Sequence, residues 1–344
     1  MTGGTQVKVA QRRAVKRAGL ELTALGLGCA AFGGLYRSIT ASDALAALRT
    51  AWQAGIRHFD TAPMYGLGRA EHLLGHFLRE GNIAPGEAVI STKVGRLMAL
   101  PRPGRELPPE PPKNPFDTGW SNGLRFRELF DYSYDGLMRS FDDSQQRLGL
   151  PDIDLLFVHD IGRVTHGERH DRTWRDLTGG GFRALRELKA AGLIKGFGLG
   201  VNETRAIDEA MNETDIDCCL LAGRYTLLDR SGEALLATAK SRDVAIVAGG
   251  VYNSGILAAG NAGDRKFDYR DAPPEIVGKV DRLAATCARF DVPLGAAALQ
   301  FPMRNEAVTS VLVGARTAED VASSVDWFER AIPDALWSEL DAAA

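Results

Sequence analysis

No uninterrupted apolar run in this 344-residue chain approaches the roughly 18–20 residues that a membrane-spanning helix needs, so no membrane partner is expected. Cysteine is scarce. Cys29, Cys218, Cys219 and Cys287 are scattered without CxxC spacing, which argues against a disulfide frame or zinc site and for a reducing cytoplasm. Neither sign of charge dominates: 41 Lys+Arg against 44 Asp+Glu leave a net charge of -3, which favours neither nucleic acid nor an anionic membrane as partner. The local exception is Lys8, Arg12, Arg13, Lys16 and Arg17. No apolar stretch follows, so these residues are no secretion signal; they read as a solvated β-hairpin with Gly19 in or near its turn. Histidine is also sparse. His72 and His76 have helical i, i+4 spacing but no HExxH, so neither a metal nor a metal-dependent hydrolase is expected. The dinucleotide fingerprint GxGxxG is missing too, since the chain reads Gly26, Gly28 and Ala31 at its first apolar strand.

What the chain does have is an ordinary soluble composition, 45% hydrophobic and 25% charged, and a regular alternation. Candidate strands are LGLGCA (25–30), IRHFD (56–60), VISTK (89–93), DLLFVH (154–159), KGFGLG (195–200), DCCLL (217–221), VAIVA (244–248) and TSVLVG (309–314). Amphipathic stretches such as SDALAALRTAWQAG and GFRALRELKAAG lie between them. About eight β-then-α units without a composition break imply one parallel sheet. That number favours an α/β fold closed as a (β/α)8 TIM barrel with an N-terminal β-hairpin over an open doubly wound sheet. One domain over 1–344 is expected, with residues 1–8 flexible. VPLGAAALQFPMR reads as an extra helix before the last strand.

Two connections are too long for simple βα turns. One runs from Gly95 to about Arg127 with a Pro-rich middle, the other from Asp160 to about Gly181. Both follow strands, so both are expected as long βα loops over the C-terminal face. Trp120 in the first and Trp174 in the second are candidate substrate contacts, and Asn122, Arg125 and Arg163 would suit a polyhydroxylated ligand.

The most informative stretch is HFDTAPMYG, which sets Asp60 and Tyr65 five positions apart where a buried strand runs into a loop. Lys93 closes the next strand and His159 the one after. Singly, each has a plainer role: Asp60 with Thr61 as a loop-start cap, Tyr65 as a rim aromatic, Lys93 snorkelling from a strand end, His159 as a satisfied core imidazole. Together, an acid, a phenol, an amine and an imidazole at successive strand mouths form a proton-transfer site.

In residue types, order and strand-end context, these four resemble the tetrad of the aldo-keto reductases, and the resemblance runs from about Leu25 to Phe328. It implies Tyr65 as acid-base group, Lys93 lowering the phenol's ordinary pKa near 10, Asp60 holding the ammonium, and His159 orienting the substrate oxygen. It also implies a nicotinamide cofactor. Gly28 and Cys29 would approach the nicotinamide ribose and Asn202 would hold the carboxamide, while Gly249, Tyr252 and Ser254 of AGGVYNSGIL would lie beside the cofactor. More narrowly, DTAPMYGLGRAE, STKVGR, FDYSYDGLMRS, LLAGRYTLLD and VYNSGIL resemble the aldose 1-dehydrogenase and pyridoxal 4-dehydrogenase branch. The reaction implied is hydride transfer from a cyclic hemiacetal, giving a lactone. The substrate would be L-fucose or another threo aldose, with pyridoxal as the alternative. A cofactor-binding regulatory subunit without turnover is the reading from another class.

Three departures from the wider family matter. Gly249 stands where an aromatic commonly stacks on the nicotinamide, leaving Tyr252 either to stack or to serve as a rim aromatic. Ala222 stands where a glutamine is usual. In VGARTAEDVASS, Gly314 and Asp320 align with the lysine and arginine that often grip a 2'-phosphate, and Ser324 with an asparagine. An aspartate about 6 Å from a phosphate costs on the order of 2–3 kcal/mol per unit charge at an effective dielectric of ~20. Asp320 would therefore favour NAD by accepting a ribose hydroxyl, or it is a first-turn helix acid. Arg316 remains nearby and keeps NADP open.

Overall fold

A computed structural model describes residues 7–104, 106–108, 119–259 and 265–343. Its centre is a closed barrel of eight parallel strands, numbered here β1 (Leu25–Gly28), β2 (His58–Asp60), β3 (Val89–Val94), β4 (Ile153–His159), β5 (Ile194–Val201), β6 (Cys218–Ala222), β7 (Ala245–Gly249) and β8 (Val308–Gly314). Each pairs with its neighbour in sequence, and β8 closes on β1 through Val311↔Leu25 to Gly314↔Gly28. The barrel matches the expected (β/α)8 architecture, with every boundary within two residues of the sequence reading. At the end of β1 those two residues are Cys29 and Ala30, which leave the strand for a 3-10 turn over Cys29–Gly33.

The surrounding helices form for local reasons. In Ala41–Gln53, Thr40 caps the start by accepting from the Asp43 amide at 3.1 Å. Ala44, Ala47, Leu48 and Ala51 form its buried face. Tyr134–Leu148 begins at the Ser133 cap and ends at Gly149, whose φ of 67° suits a residue without a side chain. The helix expected before the last strand is present as Leu294–Gln300.

Inside the barrel the two-residue period of a strand stacks side chains in layers. From floor to mouth, β3 contributes Val89, Ser91 and Lys93, β4 Leu155, Phe157 and His159, and β2 His58 and Asp60. The floor is apolar: Val89, Leu155, Phe157, Cys218, Leu220, Val247 and Leu312 pack with Val15 and Leu22 of the N-terminal hairpin. That hairpin (Arg12–Val15 with Leu20–Thr23, Gly19 at φ 62°) is where expected. Its solvated character is corrected on one face, because Val15 and Leu22 are fully buried and plug the barrel. Of the segment expected to be flexible, residues 1–6 lie outside the described residues. Val7 packs on the core and Lys8 pairs with Glu329 at 3.3 Å. Cys218 faces the barrel interior and Cys219 the helix layer, as alternation requires.

The two long connections hold more order than expected. The first contains an antiparallel pair, Arg96–Ala99 with Arg127–Phe130; its Pro-rich part over 109–118 lies outside the described residues. The second is largely helical, with Arg163–His166 and His170–Asp176 running through a wide π-type turn into Phe182–Ala190.

Candidate active site

Asp60, Lys93 and His159 end β2, β3 and β4, and Tyr65 follows β2 in a tight turn, so parallel packing brings all four to one mouth of the barrel. Lys93 Nζ donates to Asp60 Oδ2 at 2.7 Å and to the Thr61 carbonyl at 2.8 Å, with both ions almost wholly buried. The ammonium lies 4.8 Å from the centre of the Tyr65 ring. His159 meets that ring edge-on, with centroids 6.1 Å apart.

Below the tetrad is a polar chain that the sequence reading did not anticipate. Ser91 Oγ donates to Asp60 Oδ1 at 2.8 Å, so its oxygen is left to accept from His58 Nε2 at 3.2 Å. His58 Nδ1 lies 3.3 Å from Ser310 Oγ, whose own hydrogen is donated to the Thr23 carbonyl at 2.8 Å. His58 is neutral, its pKa pushed down to about 3 by burial and by Lys93. The ring fits only because β1 carries a glycine beside it: a Cβ on Gly26 would sit 2.9 Å from His58 Nδ1 and 2.8 Å from Leu312 Cδ2. Dipoles thus converge on the Asp60 carboxylate from below while Lys93 meets it from above.

Burial disfavours the Lys93 ammonium, but Asp60 and Tyr65 more than offset this and hold its pKa above the ordinary value. Tyr65 corrects a simpler expectation. Burial raises its phenol pKa, Lys93 pulls it down, and burial wins. His159 is held neutral by burial, with Arg96 and Lys93 adding to the effect.

A cleft of about 1190 Å³ opens beside the tetrad, lined by Gly28, Asn202, Gly249, Tyr252, Ser254, Gly314 and Arg316 among others. It joins a smaller pocket walled by Tyr65, Lys93, His159, Asp160 and Trp120. Most of the expected cofactor residues therefore share one surface. Gly28, Gly249 and Gly314 keep its wall smooth, and a Cβ on Gly314 would meet no atom within 4 Å. Arg316 donates to the Leu35 carbonyl at 3.1 Å, and its buried Nε has no partner. Tyr252 lies edge-on to Trp327 at 6.4 Å and lines the cleft.

Several expected contacts lie elsewhere. The Cys29 thiol is fully buried in the core, because the 3-10 turn after β1 rotates it away from the cleft that Gly28 lines. Asp320 sits outside the lining residues. Its Oδ2 accepts from the Arg316 and Thr317 amides at 2.9 and 3.2 Å, completing a capping box with Thr317. Ser324 is buried and donates to the Asp320 carbonyl at 2.8 Å. Trp174 packs on the core beside His170, ring centroids 5.7 Å apart, since its segment is helical and lies against the barrel wall. Trp120 does reach the site, 5.7 Å from Tyr65. Asn122 donates to the Ile39 carbonyl at 2.7 Å and Arg163 to Glu209 at 2.8 Å, and neither lines the pockets.

Other residues enter unannounced. Tyr36 lines the cleft. Asp268 and Tyr269 form the tip of a short hairpin, Lys266–Phe267 with Arg270–Asp271. Their positive φ values, 45° and 65°, turn the chain in two residues. The tip is fastened by Ser254 Oγ, which accepts from the Tyr269 amide at 2.8 Å, and by Arg224, which donates to Asp268 at 2.9 Å. Tyr269 lines both pockets. Two-residue strands carry too little periodicity to be read from sequence. Among the described residues no group of three His, Cys, Asp or Glu side chains could hold a metal ion, and no helix is long and apolar enough to cross a membrane.

A model of the aldo/keto reductase family matches residues 24–344. A pyridoxal 4-dehydrogenase from Microbacterium luteolum is 61% identical over 336 residues, covering 97% of both chains. A D-threo-aldose 1-dehydrogenase from a Pseudomonas species is 40% identical over 335 residues, covering 95% of both. Among solved structures, a glycerol dehydrogenase from Gluconobacter oxydans superposes with a TM-score of 0.73 at 19% identity, covering 97% of this chain and 95% of that one. That likeness concerns the fold.

Proposed function

The chain belongs to the aldo/keto reductase family and is a nicotinamide-dependent oxidoreductase, and from that premise we propose that it oxidises the cyclic hemiacetal of pyridoxal to the lactone, with NAD as acceptor. The observation that carries the chemistry is a phenol, Tyr65, beside the buried Lys93–Asp60 ion pair at the floor of an open cleft. The substrate is argued from the 61% identity to a relative named for pyridoxal.

The nicotinamide group supplies one chemistry, acceptance of hydride from the hemiacetal carbon. The chain's own residues do the rest. His159, neutral and fixed at the end of β4, donates a hydrogen bond to the substrate oxygen and orients it. Tyr65, as phenolate, removes the hydroxyl proton while the carbon–oxygen double bond of the lactone forms. Lys93 stabilises that phenolate, and Asp60, held by Ser91, keeps the ammonium in place. The Asn202 amide would hold the carboxamide, and Gly249 and Tyr252 would border the ring. Gly314 and Arg316 would lie along the adenosine end. There the absence of a lysine or arginine from positions 314 and 320 supports NAD over NADP. The four unpaired thiols suit a reducing cytoplasm, and residues 1–344 would act as one catalytic domain.

A second reading, aldose oxidation, is favoured by the 40% identity to a D-threo-aldose 1-dehydrogenase. Both substrates present a hemiacetal hydroxyl to the same four residues. NAD reduction by the purified protein with pyridoxal, L-fucose and D-arabinose separates them, pyridoxal being expected to give the highest kcat/KM. If all three were inert while NADPH reduced simple aldehydes, the oxidative reading would fail.

A further inference from the structure

We propose that Asp160 selects the substrate: its carboxylate pairs with the protonated ring nitrogen of a pyridinium-bearing hemiacetal. This rests on the reading of pyridoxal oxidation given above and assigns a recognition residue to it. Asp160 directly follows His159 and lines the same pocket wall as Tyr65 and Lys93. It has a φ of 46°, in the left-handed region that aspartate adopts more readily than most residues with a side chain. Its Oδ2 lies 3.5 Å from His159 Nε2.

The decisive observation is a charge count. Arg96 is 3% exposed and bonds two carboxylates at once, Asp160 and, at 2.8 Å, Glu128. Lys93 is already matched by Asp60, and His159 is neutral. Among the described residues, two cations therefore stand against three anions, leaving one negative charge at the wall. The cations bearing on Asp160 among the described residues are Arg96 and Lys93. An unmatched charge in a low-dielectric wall is expensive, and a ligand cation placed against it removes that penalty. An aldose offers no cation. A pyridine ring does, and a carboxylate is the usual partner of its protonated nitrogen.

An Asp160→Asn variant tests this, with pyridoxal, L-fucose and D-arabinose as substrates and pyridoxine binding to the NAD complex followed by fluorescence. Loss of one charge-assisted bond predicts a KM for pyridoxal raised about 10- to 100-fold. The KM for pyridoxal should rise at least about 10-fold more than the KM for either sugar, because an amide still accepts hydroxyl hydrogen bonds but cannot match a cation. Glu128→Gln is the second variant, in case freeing Arg96 unfolds the first. It leaves Asp160 in place but cancels the excess charge, so pyridoxal KM should also rise, by roughly 3- to 10-fold. If Asp160→Asn oxidised pyridoxal with unchanged KM, or lost sugars and pyridoxal equally, the charge pairing would be wrong while the hemiacetal reading stood. If the wild type left pyridoxal untouched yet bound pyridoxine more tightly than Asp160→Asn, the reading would fall and the pairing would stand.

Discussion

Lys93 and Tyr65 solve a problem neither solves alone. A phenol buried enough to exclude water from its proton transfer is harder to ionise, and only a cation that cannot leave reverses part of that shift. In the oxidative direction Tyr65 must be deprotonated, so kcat/KM should rise with pH until the phenol's apparent pKa is passed. Because Lys93 pulls that pKa down, Lys93→Met should move the ascending limb to higher pH and lower the rate at pH 7 by roughly 10²–10⁴-fold. A pH–rate profile checks this, and an unmoved limb would mean that Lys93 does not tune Tyr65. Gly314 gives a second test at this scale. A side chain there meets no atom within 4 Å, so Gly314→Lys should fold normally and supply a phosphate ligand. The position is exposed, so the shift in kcat/KM from NAD toward NADP should be about 10-fold rather than the larger Coulomb value.

Among the elements, the N-terminal hairpin shows how position decides role. Its sequence is basic and looks solvated, yet Val15 and Leu22 alternate onto the face that closes the barrel floor. Leu22→Ala should therefore cost about 2–5 kcal/mol of stability in a urea titration. The kcat should be almost unchanged, since the tetrad occupies the opposite mouth. The eight barrel strands were legible because each is a short apolar run between long helical patterns. The Arg96–Ala99 and Arg127–Phe130 pair was not legible, because its partners meet across about thirty residues interrupted by prolines. Yet that pair delivers Arg96 to Asp160. Similarly, the helical course of the segment after Asp160 turned Trp174 toward the core, whereas a bare loop reading left it free to reach the site.

At the scale of the whole molecule, buried neutral imidazoles set the acid limit of the fold. His58 and His166 both have pKa values pushed down to about 3, chiefly by burial, against about 6.5 when unfolded. The unfolded chain therefore binds more protons than the folded one between those values, and stability is lost as pH falls from about 6.5 toward 3. Each histidine contributes up to about 1.4 kcal/mol per pH unit, so the two together should remove roughly 4 kcal/mol between pH 6.5 and 4.5. Denaturant titrations at a series of pH values measure this slope, and His58→Gln should reduce it.

The sequence by itself determined the barrel, the order of its strands and the four residues at their ends. Strand periodicity and βα alternation are local properties, and closure of a parallel sheet puts every strand end on one face. It also determined the family, because HFDTAPMYG, Lys93 and His159 keep their order and context. Only the tertiary structure decided which other groups join them. His58 beneath Asp60, the Asp268–Tyr269 tip over the cleft, the Cys29 thiol turned inward, Asp320 held in a helix cap and the Arg96–Asp160–Glu128 cluster all depend on contacts between residues far apart in the chain. No periodicity encodes such contacts, because they are set by where the loops fold back and by which buried charges must find partners.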